Sequence, residues 1–131
     1  MCLGNVDSGL TDELKSSKKA WIRVWKVVAR SPKTWRAPIQ GIGYGNVAHN
    51  TGKFRFGRDA VHAFGDLKGA RIYAHSSEFI IEAYVRPKWI IAAGYYMGHE
   101  TISAEHMILP LYPRKKLSAR RVREIAQQYD I

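Results

Sequence analysis

A chain of 131 residues is the size of one domain, and 46% hydrophobic with 24% charged residues is the composition of a folding sequence, not a disordered one. Its 21 lysines and arginines against 11 acids leave a formal charge of +10, which attracts polyanions and repels cationic surfaces. No apolar run approaches the roughly 20 residues of a membrane-crossing helix, and Cys2, the single cysteine, excludes an internal disulfide and a cysteine-based zinc finger.

In chain order, the start at Met1 and Cys2 lacks a basic stretch followed by an apolar one, so a cytoplasmic protein without a secretory signal is expected. Thr11, followed by Asp12 and Glu13, reads as the N-cap of a short helix running to about Lys19. Residues 21–28 are rich in tryptophan, valine and isoleucine and read as a strand, with Trp21, Arg23 and Trp25 on one face and Ile22, Val24 and Lys26 on the other. Residues 30–53 hold prolines and glycines without helical or strand periodicity and are expected to form a long binding loop.

Two short strands are expected around Phe54 and Phe56 and over Val61, His62, Ala63 and Phe64, after which Asp66 caps a helix carrying Leu67, Ala70 and Ala74. Residues 78–85 alternate, placing Phe79, Ile81, Ala83 and Val85 on one face; Glu78 and Glu82 share the opposite face with Ile80 and Tyr84. Such a glutamate pair reads as an exposed sheet face and not as an acid–base couple. Residues 89–93 and 105–109 are further strand candidates, separated by a turn region at 94–98. Ser118 then caps a helix over 118–130, with Val122, Ile125, Ala126 and Tyr129 on its apolar stripe. The expected fold is α+β: a single domain over 1–131, with an N-terminal arm and short helix over 1–20. It has one small mixed or antiparallel sheet, two or three short helices, and the C-terminal helix packed on the sheet.

The positive charge is clustered. Residues 15–36 contain Lys15, Lys18, Lys19, Arg23, Lys26, Arg30, Lys33 and Arg36 with no acid, and residues 114–124 contain Arg114, Lys115, Lys116, Arg120, Arg121 and Arg123 against Glu124. Cations at this density neutralise successive phosphates, and Trp21, Trp25 and Trp35 beside them offer rings for unpaired bases. The competing reading makes the tryptophans core residues and the charges a solvated rim. A membrane-surface role fits poorly, because the C-terminal stripe carries no Trp, Phe or Leu.

Metal and nucleophile signals are weak. His49, His62, His75, His99 and His106 include no pair three or four residues apart, so no metal is expected. The chain opens Met1-Cys2, as glutamine amidotransferase domains do, and it resembles them in that feature alone; removal of Met1 would set the Cys2 thiol beside its own free amine, a nucleophile arrangement. Gly41, Gly43 and Gly45 do not open a helix after a strand, so they do not read as a phosphate loop.

Trp25-Lys26-Val27-Val28, Val61-His62-Ala63-Phe64, the alanine-bearing helix, Ile80-Ile81-Glu82-Ala83-Tyr84-Val85 and a last strand near Met107 together resemble a family of small uncharacterised phage and prophage proteins. The resemblance covers most of residues 21–110 and implies a viral accessory role, including interference with a host defence system. The same order of elements is faintly similar to ADP-ribosyltransferase folds, which implies an enzyme using a nicotinamide dinucleotide, with Tyr73 and Glu100 or Glu105 at the matching positions. The expectation is a cofactor-free binding protein acting on nucleic acid or an acidic protein through Trp21, Arg23, Trp25, Trp35, Arg36 and the cations from Arg114 to Arg123. The transferase and a structural interaction module are the alternatives.

Overall fold

The computed structural model describes residues 5–31, 34–36, 43–49, 52–53 and 59–131. The elements in chain order are β1 (Asn5–Val6), α1 (Ser8–Lys15), β2 (Ile22–Ser31), β3 (Thr34–Arg36), β4 (Gly43–Tyr44), β5 (Val47–His49), β6 (Gly52–Lys53) and β7 (Asp59–Phe64). They continue with α2 (Leu67–Tyr73), β8 (Phe79–Val85), β9 (Ile90–Tyr96), β10 (His99–Ala104), β11 (His106–Ile108) and α3 (Ala119–Tyr129). The class is α+β as expected, but the sheet is larger. Its path runs β1-β9-β10-β7-β2-β8-β11-β5, with β3, β4 and β6 attached beside it, and every described pairing is antiparallel.

β2 lies at the centre of that path because its side chains are apolar on both faces. Val24 and Val28 point into the main core with Ile81, Ala83 and Val85 of β8, while Val27 points the other way, against Phe64 and Ala70. Strand alternation thus assigns the helices to sides. Leu10 of α1 and Val122, Ile125 and Ala126 of α3 cover the first face; Ala70 of α2 covers the second.

The first helix starts earlier than its sequence suggests. Asp7, not Thr11, is the N-cap: its Oδ1 accepts from Leu10 N at 2.8 Å, and the helix ends at Lys15. Thr11 lies inside the helix, donating its hydroxyl to Asp7 O at 2.7 Å and accepting from Ala93 N at 2.9 Å. Its hydroxyl therefore ties α1 to β9 instead of starting the helix.

The segment expected as a 30–53 loop carries the end of β2 and four short strands among its described residues. Trp35 pairs with Arg30 on one side and Tyr44 on the other, and Ala48 pairs with Met107. Strands of two or three residues are too short to show a period of two, so only the partners reveal them. The expected strand around Phe54 and Phe56 lies outside the described residues, as do Cys2 and Gly41.

The expected 94–98 turn is narrower. β9 continues to Tyr96, and Met97 (φ 50°) and Gly98 (φ 81°) form the reversal before β10. Two successive left-handed residues give the twist that a two-residue hairpin requires, and glycine takes the second position without steric penalty.

The other two helices start where their caps predict. Asp66 Oδ1 accepts from Gly69 N at 2.6 Å and contacts His99 Nδ1 at 3.1 Å, and Ser118 Oγ accepts from Arg121 N at 3.1 Å. Gly69 is where α2 touches the sheet: an added Cβ would lie 2.6 Å from His99 Cβ and 2.8 Å from Phe64 Cδ1. Gly69→Ala therefore lowers stability by about 1–3 kcal/mol through overpacking, outweighing the roughly 1 kcal/mol gain in helix propensity. Urea titration of the two proteins measures the difference, and a more stable variant would contradict the close approach.

Candidate nucleic-acid interface

On the face covered by α2, the register of β2 and β8 sets Trp25 opposite Glu82. Arg23 shares that face two residues earlier. Its Nη1 reaches Glu82 Oε1 at 3.2 Å, and its guanidinium carbon lies 5.0 Å from the centroid of the Trp25 ring. This trio follows from the alternation of two paired strands. Beside it opens a groove of about 510 Å³ lined by Trp25, Ile80, Glu82, Phe79 and Glu78 from the sheet side, Leu67, Arg71 and Ala74 from α2 and its end, and Lys115 and Lys116.

The two lysines arrive from the distant C-terminal segment because the backbone there is tied to the sheet. Glu82 N donates to Lys115 O at 2.8 Å, and the indole Nε1 of Trp35 donates to Arg114 O at 3.0 Å. Lys115 Nζ then lies 5.2 Å from the Phe79 ring centroid, stem along apolar surface and charge toward water. Glu78 accepts from His75 N at 2.7 Å. The groove therefore combines an aromatic floor, a carboxylate held by Arg23, and a rim of Arg71, Lys115 and Lys116.

The other expected contact residues lie elsewhere. Trp35 is 2% exposed, wedged against Phe79 and Tyr112 at centroid distances of 5.4 and 5.0 Å, so it is a core residue and not a stacking platform. Trp21 stands edge-on to Trp89 at 5.5 Å and carries the Arg86 guanidinium 4.2 Å from its ring, so it belongs to a separate half-buried cluster. The side chain of Arg36 lies outside the described residues. Arg120 and Arg121 both pair with Glu124, at 3.0 and 3.4 Å, and Arg123 is exposed on the same helix. Because α3 must turn Val122, Ile125 and Ala126 toward the core face opposite α2, these arginines stand on the far side of the sheet from the groove. Among the described residues, Lys115 and Lys116 thus stand apart from Arg120, Arg121 and Arg123.

Lys26, one of the basic cluster of residues 15–36, is buried. Its Nζ donates to His62 O at 2.7 Å, and burial lowers its pKa from 10.5 to about 8. His62 lies beside it: burial first, and the lysine charge second, lower its pKa from 6.5 to about 4. The imidazole Nδ1 is 2.7 Å from Ser103 Oγ, the contact of a base with a hydroxyl nucleophile, but Ser103 is fully covered and closed to a substrate. Thr101 Oγ1, also buried, has no hydrogen-bond partner among the described residues. Sequence reading missed this polar core because Lys26 and His62 each stand alone between apolar neighbours, and only the pairing of strands brings them together.

Of the residues matched to transferase folds, Tyr73 packs its ring against Phe64 and Tyr96 at 5.6 and 5.7 Å. Glu100 lies against Gly65 near one end of β10, and Glu105 follows the other end, its N donating to Trp89 O at 2.9 Å. Among the described residues no group of three histidine, cysteine or acidic side chains gathers for a metal, and no helix is long and apolar enough to cross a membrane. Comparisons of the chain with protein-family models, with curated proteins and with solved structures found no match.

Proposed function

We propose that the protein is a non-enzymatic, phage-type accessory protein that binds single-stranded nucleic acid in the groove between α2, β8 and the segment carrying Lys115 and Lys116. The observation that carries this reading is the convergence of Trp25, Arg71, Lys115 and Lys116, from three separate stretches of chain, around one opening. A half-buried indole supplies a stacking surface that any base can use, and the cations replace counterions along the backbone. The groove is too small for a duplex but takes one or two nucleotides at its centre, with the strand continuing over the basic rim.

Fluorescence anisotropy with a labelled deoxythymidine 15-mer tests the reading. Log affinity falls against log salt with a slope of about −0.7 for each phosphate neutralised, giving roughly −2 for the three rim cations. Lys115→Glu with Lys116→Glu removes most of that slope, whereas charge reversal at Arg120, Arg121 and Arg123 leaves affinity nearly unchanged. Trp25→Ala weakens binding by roughly tenfold to a hundredfold, the usual contribution of a base–aromatic stack. Equal losses from the α3 triple variant would move the interface to the other side of the sheet, and competition by polyglutamate at equal charge would point to an acidic protein partner.

A further inference from the structure

The carboxylate at the groove floor needs a reason, because a bare negative charge opposes a polyanion. Glu82 is neutralised by Arg23 through one lone pair of Oε1, which leaves the second lone pair of that oxygen and both of Oε2 able to accept, and its side chain is 15% exposed. Directly opposed residues on one face of an antiparallel pair have Cβ atoms about 4.5–5.5 Å apart, so the carboxylate stands beside the Trp25 indole. Arg23 lies over that ring, leaving its remaining surface toward the groove for a ligand.

A base stacked there directs an edge at Glu82. An ionised carboxylate only accepts hydrogen bonds, so it selects edges that present donors side by side. Guanine offers N1–H and the N2 amino group as adjacent donors on its Watson–Crick edge. Adenine and cytosine each place a ring acceptor next to their single amino group, and thymine and uracil flank their one N–H with carbonyls. We infer that the groove prefers guanine, with Glu82 accepting from N1–H and N2–H, Trp25 stacking under the ring, and Lys115, Lys116 and Arg71 holding the adjoining phosphates. This inference rests on the strand-binding reading above and adds base selectivity to it.

The test uses labelled deoxythymidine 12-mers in which one central residue is changed to deoxyguanosine, deoxyinosine, deoxyadenosine or deoxycytidine, with affinities read by anisotropy on the full chain. The deoxyguanosine strand binds roughly tenfold tighter than the deoxyadenosine strand, in the range of a good bidentate base contact. Deoxyinosine, which lacks the 2-amino group, falls between them. Glu82→Gln abolishes the preference while keeping or improving affinity for all-thymidine strands, because an amide is uncharged and presents an N–H toward guanine's donors. Equal binding of all five strands, or a guanine preference that survives Glu82→Gln, overturns the inference and leaves general strand binding standing. Failure of every strand to bind overturns both. Circular dichroism of Glu82→Gln confirms that the variant is folded, and Arg23→Gln, which frees the carboxylate, retains the guanine preference at lower affinity.

Discussion

Trp35→Ala lowers the free energy of unfolding by about 3–5 kcal/mol, the range for emptying a large aromatic site in a core. Three contacts set that size. The indole is 2% exposed, its ring meets Phe79 and Tyr112, and its Nε1 donates to Arg114 O at 3.0 Å. Trp35→Phe keeps most of the ring but strips the carbonyl of its donor, and its loss is nearer 1–2 kcal/mol. Urea unfolding followed by circular dichroism separates the two. A loss below 1 kcal/mol for the alanine variant would mean that the tryptophan faces solvent, as a nucleic-acid contact would. Because the same indole anchors the backbone just before Lys115, it supports the groove from below without lining it.

Acid destabilises the fold through a buried imidazole. The His62 pKa is about 4 in the native state against an ordinary 6.5. Between those values the unfolded chain takes up a proton that the native chain refuses, so stability falls as pH drops from 6.5 to 4 and the penalty is complete below 4. At about 1.4 kcal/mol per pH unit the loss from this residue is roughly 3 kcal/mol. Lys26 has the same sign at the other end of the scale. Its amine is lowered from 10.5 to about 8, so stability rises with pH between those values, and below 8 the penalty of its buried charge is complete and no longer varies with pH. Urea midpoints at pH 7 and pH 4 for the wild type and His62→Gln measure the effect. The variant loses roughly 3 kcal/mol less than the wild type over that interval, and equal losses would assign the acid sensitivity to other groups.

How much of this was readable beforehand depended on element length. β8 alternates over seven residues, and Asp66 and Ser118 stand where polar caps precede apolar stripes, so these elements were legible. β10 was not, because it begins His99-Glu100 and its buried Thr101 and Ser103 look like loop residues until their partners on β7 and β9 are known. At the candidate site, Trp25, Lys115 and Lys116 were found through their aromatic and basic character. Arg71 and the role of Glu82 were not, since a groove formed by a helix, a strand and a tail has no local signature. Composition also overstated the accessible charge. It could not show that Lys26 points into the core, that Arg120 and Arg121 share Glu124, or that α3 stands behind the sheet.

The central position of β2 has a consequence for how the chain is made. Its longest partner, β8, pairs from Ile22 with Val85 to Val28 with Phe79, so the strand leaves the ribosome long before the residues that will cover its edge. At roughly 5–20 residues per second, that delay lasts several seconds. During it, a run of valines with unsatisfied amides is open to the same run on neighbouring nascent chains. Lys18, Lys19, Arg23 and Arg30 bracket that run, and all four remain exposed in the finished protein. Mutual repulsion among these cations opposes pairing of that run between growing chains, the gatekeeper effect of charges that flank a hydrophobic strand.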